Sequence, residues 1–264
     1  KKKGNDLSLM KKAARFSWNE IRKKYPSSRK WLILCGIGNN AGDGMMLASI
    51  ALKSNVDVKI YYFFPDKIFT GCAAEIHSEL ESLVSKNSLK IIHHLNESIL
   101  NDSDLIIDAI FGIGINRPID NSIKSKINLI NNQDAPIVSL DIPSGVHPDS
   151  GQIMGAAIKA TMTITFISHK LCFYLGEGKN LSGVIKCSHL DISQRHFSRV
   201  TEDMKIINEC YTQNRLLRRK SDAHKGDYGH VLIVGGGPGM HGAALLSGES
   251  SLRGGAGKVT IFMH

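Results

Sequence analysis

Two aspartates and two asparagines are the residues of this chain whose types and positions best suit chemistry on a ligand. Asp108 and Asp141 each stand at the end of a short apolar segment, and Asn39 and Asn40 follow another such segment, within Gly36–Gly44. Carboxylates exchange protons with a substrate, while carboxylate and amide oxygens bind hydroxyls, amides or cations. The sequence therefore predicts a ligand site built from these segments.

The segment Gly36–Gly44 reads Gly-Ile-Gly-Asn-Asn-Ala-Gly-Asp-Gly, and we predict a loop between a strand at 31–35 and a helix that begins around Met45. Backbone amides at such a turn point outward, and the helix dipole favours an anion there. The segment has neither the Gly-x-Gly-x-x-Gly dinucleotide fingerprint nor the Lys-Ser/Thr of a Walker loop. It indicates a ligand loop of another type.

Two further segments follow predicted strands. Residues 108–118 place Asp108 at a strand end and Arg117 on a glycine-rich turn, and residues 141–146 combine Asp141 with a proline turn and Ser144. Taken singly, each loop is equally well interpreted as a tight connection or an N-cap. Because the carboxyl ends of parallel strands share one edge of a sheet, three such loops together favour a ligand site.

Strands and helices alternate along most of the chain, which is typical of a parallel sheet covered on both faces. We predict an α/β fold, a Rossmann-like three-layer domain with a mostly parallel sheet, over residues 1–200. Strands are predicted at 31–35, 57–63, 90–92, 104–108, 136–140, 161–168 and 183–187, with helices near 70–85 and 119–131. Residues 201–264 are interpreted as a linker and the start of a second α/β domain, with strands at 230–234 and 258–263.

Composition excludes several classes of protein. The formal charge is +9, but residues 1–30 hold eleven Lys/Arg and two Asp/Glu, which accounts for all of it. A solvated basic helix explains this better than a nucleic-acid surface, and no apolar stretch is long enough to span a membrane. Five scattered cysteines without a Cys-x-x-Cys pair suit a reducing compartment, so we expect a cytoplasmic protein. The expected partner is a small-molecule substrate, with neither nucleic acid nor membrane; whether the chain forms a homo-oligomer stays open.

Three motifs, in this order, resemble the NAD(P)H-hydrate epimerases. They are Gly-x-Gly-Asn-Asn-Ala-Gly-Asp-Gly at 36–44, Asp-Ala-x-x-Gly-x-Gly-x-x-Arg-Pro at 108–118 and Asp-Ile-Pro-Ser-Gly at 141–145. The similarity continues through 160–166 and Lys170 to Gly183. Segments 224–230, 242–244 and 253–257 resemble the start of the ADP-dependent hydrate dehydratases, which are ribokinase-like. Both halves together resemble the bacterial bifunctional NAD(P)H-hydrate repair enzymes.

The resemblance implies that the chain interconverts the R and S forms of hydrated NAD(P)H, and that Asp141 is the catalytic acid/base. It implies substrate contacts from Asn39, Asn40, Ala41, Gly42, Asp43, Gly112, Ile113, Gly114, Ile115, Asn116, Arg117, Pro118 and Asp141. It also implies a potassium ion held by Asn40, Asp108 and Ser144. A dehydratase that uses ADP or ATP on the S form is expected only in a longer parent chain.

The chain departs from the family pattern at Ala41, at Ile113 and at the segment Lys11-Lys12-Ala13-Ala14. Ala41 replaces a glycine, which would cost roughly 1 kcal/mol or more if that position needs a positive φ. Ile113 stands where a threonine is common. Lys170 is interpreted either as a compensating charge for a phosphate or as a solvated strand-end lysine. The alternatives to an epimerase are a binding scaffold, as in related domains of RNA-decapping proteins, and a generic nucleotide-dependent enzyme.

Overall fold

The computed structural model describes residues 3–84, 89–197, 204–213, 215 and 219–263 of the 264-residue chain. It divides into two compact units, residues 1–199 and 200–264. None of the helices in the described ranges has the length and apolar character needed to cross a membrane.

The first unit is built on a seven-stranded sheet within the described residues. Its strands are β1 (Lys30–Cys35), β2 (Asp57–Tyr62), β3 (Lys90–Ile92), β4 (Leu105–Ala109), β5 (Ile137–Leu140), β6 (Met162–Phe166) and β7 (Val184–Ser188). Their order is β3-β2-β1-β4-β5-β6-β7, and every neighbouring pair is parallel. The predicted α/β fold with a parallel sheet is confirmed. The strand order reverses between β1 and β4, which is where ligands bind in open sheets of this type.

Helices cover both faces of this sheet. They are α1 (Lys3–Lys24), α2 (Asn39–Lys53), α3 (Cys72–Val84), α4 (Glu97–Asn101), α5 (Asn121–Asn131), α6 (Gly178–Leu181) and α7 (Gln194–Phe197). Alternate residues of β1 enter two separate cores: Trp31 and Ile33 pack with α1, α2 and α3, and Leu32 packs with α4 and α5. This double burial explains why the strands read as unbroken apolar runs.

The expected start of α2 at Met45 is wrong, since the helix begins at Asn39 and its first backbone hydrogen bond joins Gly42 to the carbonyl of Gly38. The small residues that look like a loop let the helix lie against the sheet. A Cβ on Gly44 would come within 2.6 Å of the Ala109 Cβ on β4. The asparagines therefore sit on the first turn of a helix that is anchored to the strand carrying Asp108.

The second unit contains a two-stranded parallel sheet of β8 (His230–Val234) and β9 (Lys258–Phe262). Helix α9 (His241–Gly254) connects them, and the short α8 (Glu209–Gln213) precedes them. The strand-loop-helix-strand order agrees with the sequence pattern. Its assignment as the start of a ribokinase-like domain stays a prediction.

Candidate functional site

A cavity of about 1110 Å³ lies at the carboxyl edge of the sheet, where the strand order reverses. Its walls come from the ends of β4, β5 and β6 and from the start of α2. Most of the predicted contact residues line it: Asn39, Asn40, Asp43, Gly112, Ile113, Gly114, Ile115, Asn116, Arg117, Pro118 and Asp141. The three loops predicted from the sequence therefore meet at one cavity.

Ala41 and Gly42 are placed differently, because neither residue is part of the cavity wall. The side chain of Ala41 is fully buried in the core beneath α2, and a Cβ on Gly42 would meet the Sδ of Met10 at 2.8 Å. Ala41 is helical, and it is not among the described residues with a positive φ. Alanine at position 41 therefore carries none of the conformational cost that a positive φ would impose.

Asp141 forms an ion pair with Lys170 inside the cavity. The Lys170 Nζ lies 2.7 Å from the Asp141 Oδ1, and the two side chains are only 14% and 16% exposed. The same ammonium donates to the Thr165 Oγ1 at 2.7 Å and to the Phe166 carbonyl at 2.8 Å. Each of the three N–H donors of Lys170 therefore has an acceptor within the protein. The interpretation of Lys170 as a solvated strand-end lysine is wrong.

The other carboxylate oxygen of Asp141 is held by the loop after β4. Its Oδ2 accepts a hydrogen bond from the Ile113 backbone N–H at 3.3 Å. A Cβ on Gly112 would lie 2.9 Å from that oxygen, so only glycine permits this approach. The hydrogen bond to Asp141 comes from the backbone N–H of residue 113. It is therefore the same whether that residue is isoleucine, as here, or the threonine that is common in the family.

Strained backbone turns direct both partners of the ion pair. Asp141 has a φ of +67°, and the Ile142 N–H donates to the Leu140 carbonyl across it at 2.9 Å. Ile167, three residues before Lys170, has a φ of +71°. The Ser168 N–H donates a hydrogen bond to the Phe166 carbonyl across it at 2.9 Å, as in the turn at Asp141. These are γ-turns of the rarer hand, which cost of order 1–3 kcal/mol each and cluster at functional sites.

Asp43 adds a second carboxyl group to the cavity. Burial raises the pKa of Asp43 well above its usual range, repulsion from Asp141 raises it further, and Lys170 opposes the shift. The cavity therefore presents one carboxylate that is held by a cation and one carboxyl group that favours its protonated form. Environments that differ in this way let two acidic groups take different roles.

Asp108 lies beneath the cavity, fully buried. Its carboxylate accepts hydrogen bonds from the Ser139 Oγ at 2.7 Å, from the Ser144 Oγ at 2.5 Å and from the Ser144 N–H at 2.9 Å. The Ile110 N–H adds a longer bond of 3.3 Å. Burial raises the pKa of Asp108, and the hydrogen bonds from Ser144 and Ser139 oppose the shift. These donors to the Asp108 carboxylate are all uncharged.

Asn40 joins this buried group through the backbone of Phe111. Its Nδ2 donates to the Phe111 carbonyl at 3.0 Å, and the Phe111 N–H donates to the Ser144 Oγ at 2.8 Å. The Asn40 Oδ1 is buried and has no hydrogen-bond partner among the described residues. Asn40, Asp108 and Ser144, the predicted potassium ligands, are thus connected by direct hydrogen bonds around Phe111.

Sequence reasoning missed two positioning contacts. Ser139 was not singled out, although a serine within the apolar run of β5 is unusual and its register places it opposite Asp108. The pairing of Lys170 with Asp141 was also missed, because 29 positions separate them and only the adjacent ends of β5 and β6 bring them together.

The raised pKa of Asp43 predicts a pH dependence of stability. The folded state holds a proton at Asp43 that the unfolded chain releases at lower pH, so stability falls as the pH rises through the folded pKa. We expect Asp43→Asn to reduce this fall, measured as the free energy of urea unfolding between about pH 4 and about pH 8. Glu75→Gln, at an exposed carboxyl group of the same cavity, is the matched control. An unchanged slope in Asp43→Asn would contradict the assignment.

Comparison with known proteins identifies relatives of this chain. It is 32% identical over 257 residues to the bifunctional NAD(P)H-hydrate repair enzyme Nnr of Coxiella burnetii, covering 97% of this chain and 52% of that protein. It is 34% identical to the Escherichia coli enzyme of the same name, covering 96% of this chain and 48% of that protein. The chain thus spans about half the length of the curated relatives it matches.

A solved structure shares the fold of this chain, and a family model matches more than half of its residues. The crystal structure of yeast ynu0 matches with a TM-score of 0.55 and 21% identity, covering 66% of this chain and 75% of that one, which shows a shared fold. The family model described as YjeF-related protein N-terminus matches residues 6–172, which include all three site loops and Lys170. The chain therefore belongs to the family of YjeF-related protein N-termini.

Proposed function

We propose that this chain epimerises the R and S forms of hydrated NAD(P)H. The observation that carries the proposal is the Asp141–Lys170 ion pair in a cavity at the reversal of strand order. Relatives named as NAD(P)H-hydrate repair enzymes supply the substrate class. A cavity of about 1110 Å³ is large enough to enclose the nicotinamide end of a dinucleotide.

The chemistry requires inversion at a carbon that carries a hydroxyl group and a ring nitrogen. The nitrogen lone pair expels the hydroxyl as water when a proton reaches the departing oxygen, and a planar iminium ion is left. Water then adds to the other face of this ion and gives up a proton. One positioned proton donor that afterwards becomes an acceptor is sufficient.

Asp141 occupies that role in our proposal. A proton moves from the Lys170 ammonium, 2.7 Å away, through Asp141 to the departing hydroxyl, which leaves a neutral Lys170 amine and the Asp141 carboxylate beside the iminium ion. Asp141 then accepts the proton of the incoming water and returns it to Lys170, which restores the ion pair. The charge of the iminium ion is matched by the carboxylate, so atoms and charges balance over the cycle.

The remaining cavity residues orient the substrate. Asn39 and Asp43 on the first turns of α2 contact the ring and its amide, and Gly112–Pro118 wrap the dinucleotide, with Arg117 exposed at the rim. Ala41 and Gly42 support the wall from behind. A binding scaffold without catalysis does not require a buried ion pair on strained turns, which favours the enzyme over that alternative.

We also propose a potassium site at Asn40, Asp108 and Ser144. The residues fit a hard monovalent cation, because the Asn40 Oδ1 is buried without a partner and the Asp108 carboxylate is buried among uncharged donors. Both are oxygen ligands, which such ions prefer. No cluster of three His, Cys, Asp or Glu residues suited to a metal ion occurs in the part of the chain described. When bound, the cation supplies a positive charge that holds the loops after β4 and β5.

The bifunctional names of the relatives concern proteins about twice as long as this chain. We propose that dehydration of the S form with ADP or ATP belongs to a longer protein and requires residues outside this sequence. For the location, we propose the cytoplasm, because the five cysteines are scattered along the sequence without a Cys-x-x-Cys pair.

Asp141→Asn tests the proposed function. It keeps the shape of the side chain but removes the proton acceptor, so we expect R-to-S interconversion to fall by about 100-fold or more. The two hydrates are separated by chromatography over time. Glu97→Gln, which changes an exposed carboxyl group on α4 that does not line this cavity, should retain full activity. Wild-type protein no faster than spontaneous epimerisation would overturn the proposal.

Replacing potassium tests the proposed ion site. A ligand that binds only the folded state raises its melting temperature by mass action. We expect the first unit to melt ~2–4 °C higher in potassium chloride than in tetramethylammonium chloride of equal ionic strength. Asn40→Ala should abolish this difference. Equal melting temperatures of the wild type in the two salts would refute the site.

A further inference from the structure

A second cavity, of about 870 Å³, lies beside the first at the carboxyl ends of β2 and β3. Phe64, the second residue after β2, lines both cavities. Its ring packs against Phe111 with the ring centroids 6.0 Å apart, and Phe111 precedes the loop Gly112–Pro118. A ligand that passes this loop can therefore continue over Phe64 into the second cavity.

One wall of the second cavity is aromatic. The rings of Phe69 and His77 lie 4.7 Å apart and are tilted by 31°, and Tyr62 packs edge-on against both. Flat aromatic side chains of this kind are the surfaces on which a purine base stacks.

Basic side chains also line the second cavity. Lys126 on α5 lies 5.5 Å and 5.7 Å from the ring centroids of Tyr61 and Phe63, and Lys67, His93 and His94 also line the cavity or its rim. Among the described lining residues there is no Asp or Glu. The carboxylate of Glu81 lies 3.7 Å from the Nδ1 of His77, but Glu81 does not line the cavity.

The first cavity has the opposite charge. Four carboxyl groups line it, and one of them, Asp43, favours its protonated form. The other three, Glu75, Asp120 and Asp141, stand against two cations, Arg117 and Lys170, and Lys170 is paired with Asp141. A dinucleotide has the matching asymmetry, since its hydrated nicotinamide ring is uncharged and its phosphates are anionic. Phosphate charge is therefore more stable in the second cavity, which has basic and no acidic lining residues among those described, than beside Glu75, Asp120 and Asp141.

We propose that the second cavity binds the adenosine-phosphate end of the substrate, with the purine against Phe69 and His77 and phosphate near Lys67 and Lys126. This assignment rests on the proposed function for the identity of the dinucleotide. The nicotinamide end then lies at Asp141, and the ligand extends from the strand reversal to the β3 edge of the sheet. The second cavity supplies affinity and the first supplies chemistry.

Two variants of the intact chain test the site with the two halves of the ligand measured separately. The double variant Lys67→Gln/Lys126→Gln removes the positive charges, and Ser78→Trp places a large ring into the cavity from an exposed position of α3. Lys124→Gln is the matched control, because Lys124 is an exposed lysine on α5 that lines neither cavity. Binding of adenosine monophosphate and of nicotinamide mononucleotide is measured by calorimetry.

We expect the Kd of adenosine monophosphate to rise about tenfold in the double variant and binding to be lost in Ser78→Trp, because charge and space are removed there. The Kd of nicotinamide mononucleotide should be unchanged in both, and Lys124→Gln should match the wild type for both ligands. A Kd of adenosine monophosphate that is the same in the wild type, the double variant and Ser78→Trp would overturn the proposal.

The epimerase assay separates this result from the proposed function. If the wild type interconverts the hydrates but the cavity substitutions leave adenosine monophosphate binding unchanged, the second cavity is not the adenosine site. If the substitutions weaken that binding but the wild type does not interconvert the hydrates, the cavity stands as a nucleotide site and the proposed reaction fails.

Discussion

The buried carboxylate of Asp108 is the interaction on which the site depends. It ties the end of β4 to Ser139 on β5 and to Ser144 in the loop after β5. Ser144 in turn accepts from the N–H of Phe111, which fixes the start of the glycine-rich loop. That loop then holds the Oδ2 of Asp141. Removing one partner from such a buried charged network destabilises the protein by far more than the hydrogen bonds contribute to its stability, because the remaining charge is left buried without compensation.

The three carboxyl groups of the site, Asp141, Asp43 and Asp108, differ in their electrostatic surroundings. Lys170 directs all three of its donors and is paired with Asp141, while Asp43 lies where burial raises its pKa. Asp108 is buried among neutral donors, which is why a cation at the Asn40 Oδ1 fits the arrangement. Proton transfer, substrate contact and loop fixation are thus assigned to three different carboxyl groups at one edge of the sheet.

Much of this architecture could be predicted from the sequence. Apolar runs such as 31–35 and 136–140 identify buried parallel strands, and parallel strands place the three loops at one edge. The start of α2 could not be predicted, because Asn-Asn-Ala-Gly-Asp-Gly has the composition of a turn. Its small side chains serve instead for close packing, with Gly44 against Ala109. Local composition does not distinguish a flexible loop from a helix pressed against a strand. The γ-turn at Asp141 and the Asp141–Lys170 pair depend on tertiary contacts between β5 and β6, which no local pattern contains.

The central claim is that Asp141 inverts the substrate by releasing and returning water. Epimerisation in water enriched in oxygen-18, followed by mass spectrometry of the separated hydrates, tests it directly. The account predicts that the inverted product acquires the heavy oxygen at the rate at which it forms in the presence of the enzyme. Enzyme-catalysed inversion with full retention of the original oxygen would contradict it.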